Sequence, residues 1–452
     1  MAICLHLSEA FSLSMPNHLS LSKGLNVLLI LLSFQNALAQ DEDYFNSTEL
    51  RYEDFVYVSN LKTVRLYKEG NELSFPIVNL AKGEKLVLDF DDLDADYKNY
   101  YITFVHCTAD WQPTDMSPMN YIGPFQNDQI VSYDFSFNTL QKYTHYRTSF
   151  PNNNIRFKKS GNYLLTVYKD DPENIVISKR FYVWEEKMAV GGSLHRSSII
   201  EQRDSHQELD FFITYPPSYN VANVWEIRTV IFQNYRLDNA ITSLKPMFVN
   251  QNKLDYNYDT DNCFEGGSEF RVFDIKTIRF NSFNVAHIDW KSKQIEAWLN
   301  VDQPRSSQRY DFYNDLNGMY YIARQEGGDP TIECDYVVVH FSLEDKEPTK
   351  EGSYYVFGAI SDWKLKPEFR MKYNEVLLRY ECSPFLKQGL YNYEYVFVPD
   401  KKNEIDAGKV EGNHFETNNS YTILVYNKEP GIPYDRLVGV GFFNPLEYVV
   451  NR

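Results

Sequence analysis

Residues 386–397 read LKQGLYNYEYVF, and this stretch decides the fold class. After a glycine, a strict two-residue alternation places Tyr391, Tyr393, Tyr395 and Phe397 on one face of a β-strand. Four aromatic rings on one face suit the core of a β-sandwich, a platform for sugar rings, or half of a protein interface. The stretch therefore predicts a β architecture and leaves the role of the rings open.

The rest of the chain repeats this pattern in short runs separated by Gly, Pro, Asn and Asp. Typical runs are residues 163–168 (YLLTVY) and 421–426 (YTILVY), which are rich in β-branched and aromatic residues and show no 3.6-residue period. Runs of this length and spacing are typical of immunoglobulin-like sandwiches. We therefore predict an all-β protein of tandem β-sandwich domains, at residues 40–186, 187–334 and 335–452.

The first residues predict export. An apolar run at 25–34 is followed by the small residues Ala-Leu-Ala at 37–39, which is the pattern of a cleaved signal peptide over residues 1–39. Whether translation begins at Met1 or Met15 stays open. No other run approaches the roughly 20 apolar residues of a membrane-spanning helix. The sequence therefore predicts an exported protein that does not span the membrane.

Charge and composition exclude several partners. The 452 residues carry a formal net charge of −17, which disfavours nucleic acid and anionic membrane surfaces as partners. Hydrophobic residues make up 43% of the chain and aromatic residues 16%, which is enough for two or three cores and excludes disorder over most of the length.

The cysteines predict neither a disulfide scaffold nor a metal site. Cys107, Cys263, Cys334 and Cys382 stand far apart in the sequence, with no Cys-x-x-Cys pair and no Cys/His ligand spacing. Isolated cysteines are usually small buried hydrophobes, although export permits a bond, so their disulfide state stays open. No cofactor is predicted.

Signatures of catalysis are weak. The best candidate is residues 106–111 (HCTADW), which places His106, Cys107 and Asp110 within six positions. Neighbouring strand residues point to opposite faces, so His106 and Cys107 are poorly placed to form a thiolate–imidazolium pair. We expect Cys107 to pack inward, Asp110 to cap the turn and Trp111 to close the sandwich end. We therefore expect no enzyme, although Asp and Glu are plentiful enough to leave a carboxylate pair for glycoside cleavage open.

The third predicted domain suggests a second class of function. Residues 354–363 (YYVFGAISDW), followed by Met371 and the aromatic strand, resemble the immunoglobulin-like modules that bind starch or glycogen. In that interpretation Trp363 stacks on a sugar ring. The competing interpretation, which we favour because large aromatic side chains are mostly buried, places Trp363 and the tyrosines in the core and in a seam between domains.

Several segments together resemble one family over nearly the whole exported chain. They are HCTADW (106–111), FPN (150–152), KSGNYLL (159–165), DLNG (315–318), DY (335–336) and LKQGLYNY (386–393). Their order and spread resemble the plug protein of the type IX secretion system of Bacteroidota. The resemblance implies a periplasmic protein, peripheral to the outer membrane, that docks on the outer-membrane translocon β-barrel and closes its periplasmic opening. It implies no cofactor and offers no catalytic residues.

Two loops are the candidates for contacting that partner, because methionine, aromatic residues and arginine are enriched at interfaces. The candidate partner-binding residues are Trp111, Met116, Met119 and Tyr121 in the first loop, and Tyr143, His145, Tyr146 and Arg147 in the second. The interpretation that both loops merely cover the sandwich ends is equally compatible with the sequence. A glycan-binding protein that uses Trp363, and a carbohydrate-active enzyme, remain the alternatives to a plug.

Overall fold

The structure is a computed structural model that describes residues 49–242, 244–291, 293–401 and 404–444. Within these ranges the chain consists mainly of β-strands in antiparallel sheets that enclose apolar cores. The predicted all-β fold of sandwich domains is confirmed. The signal peptide predicted over residues 1–39 lies outside the described residues.

The first sandwich is formed by twelve strands and one short helix. They are β1 (Phe55–Val56), β2 (Leu61–Lys68), β3 (Ile77–Asn79), β4 (Leu86–Asp92), β5 (Tyr100–Cys107), α1 (Pro118–Tyr121), β6 (Ile122–Pro124), β7 (Asn127–Gln129), β8 (Ser132–Phe135), β9 (Thr144–Phe150), β10 (Ile155–Phe157), β11 (Gly161–Lys169) and β12 (Ile175–Trp184). One sheet has the order β1-β12-β11-β5-β7, with β3 parallel to β12, and the other has the order β2-β4-β9-β8. Strands β6 and β10 form a separate two-stranded antiparallel sheet. Alternate side chains, among them Phe90, Phe104, Phe150 and Phe181, form the core between the two sheets.

A second sandwich begins with the next strands. They are β13 (Ala189–Arg196), β14 (His206–Thr214), β15 (Arg228–Gln233), β16 (Phe248–Asn250), β17 (Lys253–Tyr256) and β18 (Cys263–Glu265), with 3₁₀ turns at Ile200–Gln202 and Val224–Glu226. One sheet has the order β13-β14-β17-β16, and β18 also pairs with β14. The other sheet is completed only after the third sandwich.

The third sandwich contains ten strands. They are β19 (Arg271–Asp274), β20 (Val285–Asp289), β21 (Ile295–Leu299), β22 (Tyr320–Ile322), β23 (Tyr336–Glu344), β24 (Gly352–Phe357), β25 (Lys372–Asn374), β26 (Arg379–Cys382), β27 (Phe385–Lys387) and β28 (Gly389–Pro399), with helices α2 (Pro330–Glu333) and α3 (Gly408–Glu411) and 3₁₀ turns at Ala359–Ser361 and Pro367–Phe369. One sheet has the order β19-β28-β22, with β24 on β28. The other has the order β20-β21-β23-β26-β25, with β27 on β23.

The last two strands, β29 (Tyr421–Asn427) and β30 (Arg436–Phe443), return to the second sandwich and complete the sheet β15-β29-β30. Ile231 of β15 lies opposite Ile423 of β29, so the third sandwich is inserted into the second. The predicted division into 187–334 and 335–452 is therefore wrong. A pairing across almost two hundred residues leaves no mark on local periodicity, which is why the sequence missed it. The strands of the first sandwich all fall within the predicted 40–186.

The aromatic strand β28 lies at the centre of the third sandwich. Tyr391, Tyr393, Tyr395 and Phe397 are part of its core, which confirms the inward face predicted from the alternation. The middle of the opposite face, at Asn392, Glu394 and Val396, is also buried, and it meets the second sandwich at Glu394. There Glu394 Oε1 accepts a hydrogen bond from the guanidinium of Arg236 at 3.2 Å.

The outer faces of the first and second sandwiches share a further apolar cluster. Trp111 and Tyr182 of the first sandwich pack with Phe232, Tyr426 and their neighbours on the β15-β29-β30 sheet. A face that would be solvated in an isolated sandwich is thus buried between two, which explains why β11 and β29 are apolar on both faces.

Candidate partner-docking surface

One edge of the first sandwich exposes a row of apolar side chains. Strand β8 is the last strand of its sheet and pairs only with β9. The sequence from residue 131 alternates apolar and polar residues, and the apolar positions face solvent. Val131 is 75% exposed, Phe135 is 53% exposed and Phe137 is 58% exposed. This row is unusual because large apolar side chains in a strand normally mark the buried face.

Three of the exposed rings are joined through Tyr133. The ring centroid of Tyr133 lies 4.8 Å from that of Tyr97 and 5.8 Å from that of Phe135. Tyr133 also lies opposite the buried Tyr146 on the neighbouring strand β9. The row is therefore on the core-facing side of its sheet, but at the edge strand, where the core no longer covers it. We define the edge surface as Tyr97, Val131, Tyr133, Phe135, Phe137 and Leu140.

The segment that follows β8 is held by the third sandwich. The backbone N–H of Phe137 donates to the carbonyl of Ile332 at 2.9 Å. The N–H groups of Leu140 and Gln141 donate to the two carboxylate oxygens of Asp335 at 2.6 and 3.0 Å. These bonds fix the surface before any partner arrives, which lowers the ordering cost of binding.

An edge strand with an apolar row offers two kinds of contact at once. Its outward backbone groups can pair with another strand, and its rings can bury area against the partner. A contiguous exposed apolar patch is typical of a protein–protein interface. A second exposed edge, β16, carries Phe248 and Val249, but no ring contact joins them to other exposed aromatics among the described residues.

Two of the predicted partner-binding residues are exposed. Met119 in helix α1 is 66% exposed, and the carbonyl of Met119 accepts a hydrogen bond from Lys158 Nζ at 2.8 Å. Arg147 on β9 lies opposite Ser132 of β8 and faces solvent. A contact role for both stays a prediction.

The other residues of the first predicted loop are inside the protein. Trp111 is buried beneath the guanidinium of Arg180, whose central carbon lies 4.4 Å from the ring centroid, and it meets Tyr182 edge-on. Tyr121 is buried and donates to the carbonyl of Phe104, and Met116 is half-buried against the first core. Trp111 and Tyr121 therefore do not present their side chains to a partner.

The second predicted loop is mostly strand β9, and its aromatic residues point inward. The hydroxyl of Tyr143 donates to the carbonyl of Cys334 at 2.9 Å. Nδ1 of His145 lies 2.7 Å from Oδ1 of Asp91, and Tyr146 stacks on Phe90 within the core. The prediction of surface contacts by Tyr143, His145 and Tyr146 is wrong. Tyr146 belongs to the core of the first sandwich, and Tyr143 and His145 lie at the junction with the third sandwich.

Trp363 is enclosed by its neighbours rather than presented as a flat platform. Its ring meets Phe270 and Phe357 edge-on, and the guanidinium of Arg236 lies 5.3 Å from the ring centroid. The residue lines a cleft of about 140 Å³ between the sandwiches, together with Tyr320. This position matches the seam between domains that we favoured over a sugar platform.

The candidate catalytic cluster does not come together. Nε2–H of His106 donates to the carbonyl of Ser160 at 3.0 Å, while Cys107 lies on the other face of β5 in the cluster between sandwiches. Burial lowers the pKa of His106 to about 4 and raises the pKa of Cys107 to about 12, so at neutral pH the imidazole is neutral and the thiol is protonated. Asp110 instead forms an ion pair with Arg228.

All four described cysteines are free. Cys107, Cys334 and Cys382 are buried, as predicted for small hydrophobes, and Cys263 is half-buried. No helix within the described ranges is long and apolar enough to cross a membrane.

The edge surface was missed by sequence reasoning, although a signal was present. Residues 131–137 read VSYDFSF, a strict alternation that predicts a half-buried strand. Periodicity says which residues share a face but not whether another sheet covers that face. Only the strand order, with β8 at the edge, shows that the row is open.

Comparison with known proteins agrees with this fold. Residues 61–185, which include the whole edge surface, match the family model described as "Type 9 secretion system plug protein 1st domain". A crystal structure of a hypothetical protein from Parabacteroides merdae is 32% identical, covers 88% of this chain and 100% of its own, and superposes with a TM-score of 0.84. The chain belongs to the type 9 secretion system plug protein family. The resemblance seen in the sequence is thereby confirmed.

Other matches add nothing to this assignment. The C-terminal domain of the antigen I/II-family protein AspA of Streptococcus pyogenes is 8% identical and covers 85% of this chain and 100% of its own. Its TM-score of 0.14 is too low to carry an argument. None of the curated proteins matches the chain. Family membership associates this plug-family protein with the type IX secretion system.

Proposed function

We propose that this protein is a periplasmic plug, which docks on the outer-membrane translocon β-barrel of the type IX secretion system and reversibly closes its periplasmic opening. The observation that carries the proposal is the exposed apolar edge surface on the sandwich that matches the plug family. It gives a membrane-peripheral protein a place to contact a partner.

The three sandwiches form one body suited to blocking a wide opening. An apolar cluster joins the first sandwich to the second. Ion pairs join the first to the third, as between the buried Lys179 and the half-buried Asp362 at 2.7 Å. A preformed body of this kind loses little conformational entropy when it docks, so a modest contact area suffices and release stays possible.

The same proposal assigns the protein a binding role and no catalytic step. The best catalytic candidates in the sequence, His106 and Cys107, are occupied by packing and hydrogen bonds. The formal charge of −17 supports a protein partner over nucleic acid or an anionic lipid surface.

Affinity purification from solubilised outer membranes tests the proposal. Tagged wild-type protein is expected to recover a large β-barrel protein, whereas a variant carrying Tyr133→Ser and Phe135→Ser on the edge surface is expected to recover much less of it. The matched control carries Phe248→Ser and Val249→Ser on the other exposed edge. Failure of the wild type to recover a barrel, with the protein folded and exported, would overturn the plug assignment.

A further inference from the structure

A row of metal-ligating side chains lies on the outer face of the second sandwich. His195 on β13 is directly opposite Glu208 on β14, and Glu208 is opposite Cys263 on β18. Asp210 lies two residues further along β14 and therefore shares this face. The sequence shows none of this, because the four residues come from three strands whose pairing is not local.

The ligand atoms are close together. Nε2 of His195 lies 2.8 Å from Oδ2 of Asp210 and 3.7 Å from Oε1 of Glu208. Sγ of Cys263 lies 3.9 Å from Oε2 of Glu208. Two ligands of one tetrahedral zinc ion lie about 3.3 Å apart when each bond is about 2.0–2.1 Å. The ligand atoms of His195, Glu208 and Asp210 all lie within 4.8 Å of one another, so they need only small movements to share an ion, whereas Cys263 approaches the cluster from the side of Glu208.

The cluster has no Lys or Arg partner among the described residues. The side chain of Glu208 is only 1% exposed, and among the described residues neither Glu208 nor Asp210 forms an ion pair with Lys or Arg. Placing the buried carboxylate of Glu208 beside the half-buried carboxylate of Asp210 is costly unless a positive charge accompanies them. The other tight carboxylate group, Asp92, Asp94 and Asp96, differs because the ammonium of Lys98 lies within it.

Neighbouring groups orient the cluster as outer-shell groups orient metal ligands. The N–H of Ser198 donates to Oε2 of Glu208 at 2.6 Å, and Nδ2 of Asn262 donates to Oδ1 of Asp210 at 3.0 Å. Nδ1 of His195 lies 3.0 Å from the carbonyl of Arg196, which leaves Nε2 directed at the carboxylates. Oδ1 of Asn262, fully buried beside them, has no hydrogen-bond donor within the described part of the chain.

We propose that His195, Glu208 and Asp210, with Cys263 as the fourth ligand, bind a zinc-class divalent cation. The mixed nitrogen, oxygen and sulfur donors fit Zn²⁺, whereas Ca²⁺ and Mg²⁺ take oxygen ligands. The ion would fasten β13, β14 and β18 to one another, so that metal binding stabilises the second sandwich. This role is independent of the plug assignment.

Titration of the metal-free protein with ZnCl₂ in a calorimeter tests the proposal. The wild type is expected to bind one equivalent and to melt at a higher temperature once loaded. His195→Ala and Asp210→Asn are each expected to weaken binding at least about tenfold, and Cys263→Ser to weaken it as well. The matched control is His340→Ala, because Nε2 of His340 lies 2.8 Å from a single carboxylate, that of Glu296.

Asp210→Asn keeps the size of the side chain and an oxygen that can accept the hydrogen bond from Nδ2 of Asn262. Circular dichroism is therefore expected to show an intact fold. The proposal is overturned if the wild type takes up no Zn²⁺, if His195→Ala binds as tightly as the wild type, or if His340→Ala loses binding equally. Equal affinity for CaCl₂ would also overturn the zinc-class assignment.

Discussion

The ammonium of Lys387 lies 2.6 Å from Oδ2 of Asp91, and both side chains are buried at the junction of the first and third sandwiches. Burial alone would raise the pKa of Asp91, but the charge of Lys387 and the hydrogen bond from His145 hold it below its ordinary value. The hydroxyl of Tyr336 donates to the same carboxylate at 2.7 Å. This pair fixes two sandwiches as one body.

Removing the lysine tests how strongly the two sandwiches are joined. Lys387→Met leaves Asp91 charged and buried without its cation, so we expect the free energy of unfolding to fall by about 3–5 kcal/mol. Urea denaturation measures this loss. The control is Lys62→Met, because Lys62 also joins the first sandwich to the third, through Glu368 at 2.9 Å, but with both side chains partly exposed. Its expected loss is at most about 1 kcal/mol, and equal losses would contradict the account.

The edge surface predicts a separation of binding from stability. Tyr133 and Phe135 lie at the rim of the core, so replacing both with serine is expected to change the free energy of unfolding by no more than about 1 kcal/mol. The same change removes the aromatic contact area and is expected to reduce barrel recovery at least about tenfold. Quantitative pull-down and denaturation of one preparation check both halves. A large loss of stability together with binding would assign the rings to folding instead.

Buried His106 predicts a loss of stability in acid. Burial lowers the pKa of His106 to about 4 in the folded protein, below the value of about 6.5 for an exposed imidazole. Between these values the unfolded chain binds a proton that the folded protein does not, so the contribution is complete above pH 6.5 and is lost as the pH falls toward 4. The loss amounts to about 3 kcal/mol at most.

The variant His106→Gln cannot titrate and keeps an amide that can donate to Ser160. We expect its free energy of unfolding to fall less than that of the wild type between pH 7.5 and pH 4.5, as measured by urea denaturation at each pH. Parallel pH profiles for the two proteins would show that the titration of His106 is not responsible.

The close approach of Gly318 to Trp363 predicts a steric effect at the junction. Gly318 has φ +79°, and an added Cβ would lie 2.4 Å from Cη2 of Trp363. Gly327 has a similar φ of +77° but no atom within 4 Å of such a Cβ. Gly318→Ala is therefore expected to destabilise by about 1–3 kcal/mol more than Gly327→Ala, since only the first adds overpacking to backbone strain. Equal thermal unfolding of the two variants would contradict this.

Local pattern was enough for the fold class and for the inward face of the aromatic strand. The alternation at Tyr391 and Tyr393 requires only that one side of a strand be buried, and that side is the core. The family resemblance could also be recognised from the sequence, because residues of its motifs form contacts that stabilise the fold. Lys387 forms the buried ion pair with Asp91, and Gly318 leaves room for Trp363.

The domain organisation and the docking surface depend on long-range strand pairing, which local sequence pattern does not predict. The insertion of the third sandwich depends on β15 meeting β29, and the docking surface depends on β8 being an edge strand. Tyr143 and Tyr146 were predicted as contact residues from their composition, yet composition is the same for an interface and for a core. The open face of Tyr133 and Phe135 becomes visible only when the sheets are assembled.

The permeability of the outer membrane tests the central claim most directly. In cells that lack this protein, with the translocon present and not engaged by a substrate, we expect increased uptake of a large polar compound. Wild-type protein should restore the barrier, and the variant with Tyr133→Ser and Phe135→Ser should not, while the variant with Phe248→Ser and Val249→Ser should. Unchanged uptake in the deleted cells would contradict the closing of the pore by this protein.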